Sequence, residues 1–230
     1  MNSDKYPLII DLHLCSNFIG PGTVGFNAGH LFDVDNTNTG NLTESLMKGR
    51  KIARSFRDGL AEFHPKAFAN SFLVQTGALL GIRETRRIVG DYMLTADDFV
   101  ARRSFDDEIC RNCYYIDVHN TKEDAEKVSN NEIDFTELYK DAVHYEKGES
   151  HGVPYRCLTP KGLNNVLIAG RSVSSDHVIN GSLRVMPVCL AMGEAAGIAA
   201  YMAVNAGNDV RKVNVNDLRE KLRKHGAYLP

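Results

Sequence analysis

Residues 18–32 read FIGPGTVGFNAGHLF and set Gly20, Gly22 and Gly25 in the order G-x-G-x-x-G. Between a buried strand and a helix, that spacing lets backbone approach a pyrophosphate seated on the helix N-terminus. Residues 81–88, GIRETRRI, gather Arg83, Glu84, Arg86 and Arg87 on one short stretch. Two readings stay open for them: an arginine that binds an anionic substrate or faces a redox cofactor, or a paired ladder at the surface. His177, in SSDH, could move a proton during hydride chemistry or be a solvated loop histidine. Cys110 and Cys113 form C-x-x-C, the spacing of a redox pair or of half a zinc site. No second pair accompanies them and the strand-to-helix context of a thioredoxin-like motif is missing, so they read as incidental thiols, with a thiol redox protein as the weaker alternative. His119, in DVHN, has no partner cluster, and no metal ligand set is read.

The neighbours of the glycines decide against a nucleotide loop. Residues 8–14 alternate apolar and polar positions, with Asp11 and His13 on one face, as a half-exposed strand does. CSNFI separates that strand from Gly20, and residues 27–41, NAGHLFDVDNTNTGN, read as loop where a helix would be required. No second strand ends in an acidic residue about 20 positions on. The glycines are therefore expected in a turn-rich loop.

The elements that must position the other candidates follow from periodicity. Thr43 is the expected N-cap of a helix whose apolar stripe is Leu42, Leu46, Gly49, Ala53, Phe56, Leu60 and Phe63 and which stops before Pro65. Its other face carries Lys48, Arg50, Lys51, Arg54 and Arg57, read as a solvated basic face. Residues 71–90 read as two strands. LTADDFVARR reads as a short helix with Thr95 and Asp98 at capping-box spacing. CYYIDVHN reads as a strand, and 121–150 as an exposed, charged excursion. VPYRCLTP and NVLIAG bracket a turn as two strands, and the last helix is expected to start at Asn216 or Asp217 and to close at Gly226.

Composition narrows the class. The chain has 230 residues, 43% hydrophobic and 24% charged, with a formal net charge of -2, which gives no electrostatic case for a nucleic-acid partner. Five cysteines, an odd number in a long chain, read as reduced thiols, and the N-terminus lacks the features of a signal peptide, so a cytoplasmic location is expected. Residues 185–206 approach bilayer-spanning length, but Glu194 sits in their middle among Ala and Gly, so a buried soluble helix and no membrane partner are expected.

Residues 153–207 carry the strongest pattern. The strand NVLIAG ends in Gly170-Arg171-Ser172, and a loop, SVSSDHVINGSLRVM, leads to a helix with Pro187 in its first turn, where a missing N–H costs nothing. A strand, a loop and a helix start make an anion site. Within that helix Gly193, Ala196, Gly197 and Ala200 share a face that either packs closely on a sheet or admits a flat ring.

The block VPYRCLTPKGLNNVLIAGRSVSSDHVINGSLRVMPVCLAMGEAAGIAA closely resembles the C-terminal region of a family of FAD-dependent oxidoreductases with a glutathione-reductase-like flavin domain. LLGIRETRRIVGDYMLTADDF, YYIDVHN and LREKLRKHGAYL resemble the same family in the same order, so the likeness runs from about Gly25 to the end. The resemblance implies that Gly170, Arg171 and Ser172 line the cofactor, and that backbone N–H groups near Arg184, Val185 and Met186 face the pyrimidine edge of the isoalloxazine. It adds Gly181, Ser182 and Gly193 to the cofactor set, makes Arg83 and His177 the catalytic candidates, and brings Tyr155 and Arg156 to the substrate side.

It also implies an α/β fold of mixed α+β type: a partial FAD/NAD(P)-binding-type flavin domain in residues 151–230, with NVLIAG in its central sheet, and substrate-facing strands and helices in residues 1–150. The family's own G-x-G-x-x-G and acidic ribose ligand belong upstream of the matched region. The expectation is therefore a C-terminal portion that transfers hydride between an organic small molecule and flavin. FAD is expected in the complete protein and not tightly held by this chain alone. The alternative is a non-catalytic fragment or subunit whose nucleotide-binding half comes from a partner chain or a missing N-terminal segment, and which would show an exposed apolar patch where that half docks.

Overall fold

The computed structural model describes residues 5–10, 14–118, 127 and 144–230. The chain forms two compact units, Met1–Ile82 with His119–Asp141 and Arg83–Val118 with Ala142–Pro230. The functional boundary expected at residue 150 thus falls inside the second unit. Helices and short strands mix in both, as the α/β class requires. The excursion expected at 121–150, Asp11 and His13 of the first strand, and His119 lie wholly or mostly outside the described residues.

In the first unit the three glycines belong to a hairpin. β1 (Leu14–Gly20) pairs antiparallel with β2 (Thr23–Ala28) around Pro21-Gly22. Proline fixes one turn φ and Gly22 takes the next at +69°, the left-handed region that favours glycine. Gly20 closes β1 and Gly25 sits within β2, so no helix starts at the motif. The strand expected over 8–14 is realised only from Leu14 onward among the described residues.

α1 (Thr39–Phe63) starts four residues before the expected cap. Asn38 caps it, its side chain accepting from the Asn41 N–H at 3.1 Å, while Thr43 turns inward to donate to the Thr39 carbonyl at 2.9 Å. The stripe is confirmed in part: Ser45, Ile52, Phe56, Gly59 and Leu60 are the buried positions. Gly29, at φ +77°, lies so close to this face that a Cβ would stand 2.7 Å from Ile52 Cγ2. α2 (Pro65–Phe68) follows at once.

The two strands expected over 71–90 do not form. Phe72, Val74 and Leu79 stay exposed, so no partner buries the apolar side that strand pairing would need.

In the second unit, α3 (Ala96–Val100) has a complete capping box, with Asp98 serving where Glu is preferred: Asp98 Oδ2 accepts from Thr95 N at 3.0 Å, and Thr95 Oγ1 accepts from Asp98 N at 3.4 Å. β3 (Glu108–Asn112) pairs antiparallel with β4 (His151–Pro154). The strand expected in CYYIDVHN is therefore displaced upstream. The Asn112 side chain accepts from Tyr114 N at 3.0 Å and turns the chain out of the ladder. Tyr155–Cys157 forms a 3₁₀ turn where VPYRCLTP was expected to continue as strand. NVLIAG is not a ladder strand either; Ile168 N donates to Leu158 O at 2.8 Å without a run of paired neighbours.

The expected loop after Ser172 contains α4 (His177–Leu183). Asp176 explains it: one carboxylate oxygen accepts from Ile179 N and the other from Ala96 N, each at 2.8 Å, starting α4 and tying it to α3. α5 (Met186–Val204) has Pro187 in its first turn as expected, and α6 (Val215–Lys224) is capped by Asn214, not by Asn216 or Asp217. Gly226 then closes the chain end at φ +98°. Leu94, Phe99, Ile109, Ile179, Met192 and Leu218 are at most 1% exposed and form the centre of the core.

α5 packs on β3, on the 3₁₀ turn Gly170–Ser172 and on α6. Among the described residues it is the one helix long and apolar enough to cross a membrane, a test that core helices also pass. Its Glu194 pairs with His225 at 3.0 Å.

His151 is fully buried beneath this core. Tyr145 Oη donates to the Phe99 carbonyl at 2.6 Å, so the 2.9 Å contact with His151 Nδ1 is a donation from the ring, which leaves a bare, buried Nε2 without a partner among the described residues. Burial pulls the imidazole down to about 4.

Candidate functional site

The segment that begins at Arg83 owes its position to bonds formed one at a time. Ile88 N donates to Ser172 O at 3.0 Å, Gly90 N to Ser174 Oγ at 3.0 Å and Leu94 N to Ser174 O at 3.2 Å. These bonds lay residues 88–94 along the chain that leads from the 3₁₀ turn into α4. Glu84 is thereby brought to His177, the first residue of α4.

The charges then organise around two carboxylates. Glu84 contacts His177 Nδ1 at 3.2 Å and accepts from Arg87 at 3.0 Å. With Nδ1 engaged, the other nitrogen of a half-exposed ring is left toward solvent. Asp117 accepts from Arg83 at 3.3 Å, and its backbone carbonyl accepts from Arg184 Nη2 at 2.5 Å. Arg184 ends α4; burial pulls its guanidinium below the usual range, opposed by the nearby Glu84 and Asp117. Tyr114 stands beside Asp117, and burial together with its hydrogen bond to Tyr115 pushes its phenol above the usual value. Arg83 and His177 are thus each paired, the one in the Asp117 network and the other with Glu84.

The network depends on a close approach. A Cβ on Gly181 would lie 3.0 Å from both the carbonyl carbon and oxygen of Asp117, so only glycine lets α4 press against that backbone. Ser182 Oγ donates to Tyr114 O at 2.6 Å and accepts from Asn112 Nδ2 at 2.7 Å, pinning the same segment. Gly181 and Ser182 are both buried and join protein to protein.

The remaining candidates meet at the start of α5. Gly170, at φ +81°, opens the 3₁₀ turn, and a Cβ there would come within 4.0 Å of Cys189 Sγ in the first turn of α5. Asn180 Nδ2 donates to Arg171 O at 3.2 Å and holds the turn. Arg171 lies close enough to Cys189 to oppose the rise that burial causes in that thiol. Val185 is the N-cap of α5 and offers no side-chain cap, and Met186 is 80% exposed. The first-turn N–H groups of Met186 and Val188 have no intrahelical acceptor, and Pro187 has no N–H. This donor set, beside a positive-φ glycine turn, fits the pyrimidine end of a flavin. A pyrophosphate loop is not found among the described residues.

Gly193 belongs to a different face. The buried face of α5 is Val188, Met192, Ala195, Ala199 and Ala203, whereas Gly193, Gly197 and Ala200 look outward with Leu190 and Tyr201, each more than 70% exposed.

Two further candidates have structural partners. Tyr155 is buried and donates to Val210 O at 2.8 Å, and Arg156 forks onto Asp107 at 2.9 and 3.2 Å. Cys110 is buried and its thiol is pushed up to about 12 by desolvation, which keeps it protonated and poorly nucleophilic; Cys113 is exposed. Sequence reasoning singled out neither Asp117 nor Asn180. Their partners Arg83 and Arg171 lie 34 and 9 positions away, and no local spacing signals either pair.

Residues 10–222 match the family model described as FAD dependent oxidoreductase. No curated protein and no solved structure matches the chain.

Proposed function

Because the chain belongs to the FAD dependent oxidoreductase family, we propose that its second unit is the part of a flavin oxidoreductase that faces the isoalloxazine and the substrate. Hydride passes between a small organic molecule and flavin N5. The observation that carries this reading is the meeting of the uncapped α5 N-terminus with the Gly170–Ser172 turn, one helix away from the His177–Glu84 pair.

When bound, FAD supplies a two-electron acceptor whose reduction leaves negative charge at the N1 and C2 carbonyl edge. The N–H groups of Met186 and Val188 supply fixed positive dipole toward such charge without reorganisation. Gly170 and Ser172 shape the turn beside them, and Arg171 adds a cation. Glu84, braced by Arg87, orients His177, which takes or returns the substrate proton at Nε2. Glu84 is thus a positioning residue.

A second reading, a subunit that needs a separate nucleotide-binding half, draws on the outward face of α5. Leu190, Tyr201 and Val204 expose apolar surface around Gly193 and Gly197, where another backbone can approach closely. On this reading the glutathione-reductase-like architecture is completed by that half.

The visible absorption spectrum of the purified chain with excess FAD, taken before and after gel filtration, tests both readings. A perturbed flavin band that disappears on the column supports an isoalloxazine site without a pyrophosphate anchor. A flavin band that is never perturbed contradicts the first reading. A band that survives the column contradicts the second.

A further inference from the structure

The first unit leaves an apolar face uncovered. Residues directly opposite in an antiparallel pair share a face, as do residues two apart along a strand. Phe18 stands opposite Val24, and Phe26 follows two positions on, so these three side chains line one side of the β1–β2 hairpin. The Phe26 ring meets Phe68 of α2 at 6.1 Å between centroids, and Ser71 N donates to Phe68 O at 2.9 Å, so the chain at 72–79 leaves from beside this face. Phe18 is 75% exposed, Phe72 78% and Val74 70%. Taking about 200 Å² for an aromatic residue and less for an aliphatic one, these three with Val24, Phe26 and Leu73 expose roughly 600 Å², the upper end of what a monomer leaves as one patch. The backbone is open as well. Among the described residues neither outer edge of the hairpin meets a third strand, and 72–79 make no backbone–backbone hydrogen bond. A two-stranded hairpin left in this way is marginal by itself.

Charge indicates what covers it. Residues 14–28 and 67–82 contain no Asp, Glu, Lys, Arg or His, in a chain that is 24% charged. Edge strands that must stay single carry charges that repel a copy, and β1 and β2 have none. A partner of different sequence is selected by complementary charge, which this face does not offer, whereas an uncharged face meets its own copy without like-charge repulsion. An antiparallel strand edge is also its own complement, since across a twofold axis the N–H groups of each copy meet the carbonyls of the other. We propose that a second copy of this chain covers the face, with β1 pairing edge to edge with its mate about a twofold axis and the two hairpins forming one sheet. β1 is the longer strand, and its five central residues are exposed. Two faces of roughly 600 Å² come to about 1,200 Å², the low edge of a stable interface, so a dimer of modest affinity is expected.

Sedimentation velocity of the full chain between about 1 and about 100 µM tests this, with a reversible monomer–dimer equilibrium expected. Because the contact holds no charge, its dissociation constant should change less than about twofold between about 0.05 and about 0.5 M NaCl. Phe18→Lys places a charge on each side of the axis and should weaken association about tenfold per copy, roughly a hundredfold in all, whereas Phe18→Leu should keep the dimer. Phe18 is largely exposed, so neither substitution removes core packing, and the concentration dependence of the unaltered chain needs no variant. Leu190→Lys, on the outward face of α5, should leave the dimer as it is. A monomer across the whole range would overturn the proposal and leave the face to a chain of another sequence. So would a series of higher oligomers that does not stop at two, a steep salt dependence, or a dimer lost in Leu190→Lys and kept in Phe18→Lys.

Discussion

Acid should destabilise the second unit through His151. The folded ring donates through Nδ1 to Tyr145 and buries a bare Nε2, so protonation would place an N–H⁺ where no acceptor stands among the described residues. Its value falls from 6.5 to about 4. The folded value is depressed, so the stability tied to the neutral ring is complete above pH 6.5 and is lost as pH falls toward 4. Between pH 7.5 and 4.5 this linkage amounts to roughly 2.5 kcal/mol, about three quarters of the full product of the shift and about 1.36 kcal/mol per unit, because the window stops short of the folded value. Urea unfolding at both pH values measures it, and His151→Phe isolates it, because phenylalanine keeps the ring against Phe99 and cannot titrate. The variant should start less stable at pH 7.5 for want of the Tyr145 bond and lose about 2.5 kcal/mol less than the parent on acidification. Equal losses in the two proteins would refute the reasoning.

Gly181→Ala forces a methyl group onto the Asp117 backbone 3.0 Å away and should cost about 1–3 kcal/mol in urea unfolding. Asp98 is buried and accepts from Tyr92, from Thr95 N and from Arg103 at 2.7 Å, so Asp98→Ala should cost about 2–3 kcal/mol, with the loss read in the same assay. In the flavin-loaded protein, His177→Gln should lower the rate of flavin reduction roughly a hundredfold or more. Glu84→Gln should lower kcat by less, with KM little changed, and should add nothing to His177→Gln, a pattern that stopped-flow reduction of the single and double variants would reveal.

Local signals in the sequence were read correctly where one segment determines its own structure. The Thr95–Asp98 capping box and Pro187 inside the first turn of α5 each depend on neighbours within a few residues, whereas the turn-rich loop expected around Gly20, Gly22 and Gly25 is a hairpin of two strands. The strands were less legible, because an apolar extended segment becomes a strand only if another segment pairs with it. NVLIAG and residues 71–90 have strand composition and no ladder, whereas Glu108–Asn112, with charges at both Glu108 and Arg111, does pair. The helix α4 was missed because SSDHVINGSL is rich in turn formers, and its start depends on Asp176 reaching Ala96, 80 positions earlier. The charged site was half legible. GIRETRRI and SSDH attracted attention by residue type, but the join between Glu84 and His177 spans 93 positions and only the fold supplies it.

The central claim is that the α5 N-terminus faces a flavin, and Met186→Pro tests it most directly. Proline is tolerated at the first helical position, and Val185 already holds the extended conformation that a following proline requires, so the variant keeps the helix and deletes one N–H donor. Titration of FAD into both proteins, followed by difference absorption of the flavin band, gives the two dissociation constants. The account predicts saturable perturbation by the parent chain and an affinity about tenfold weaker in the variant. Identical constants, or no perturbation by either protein, would contradict it.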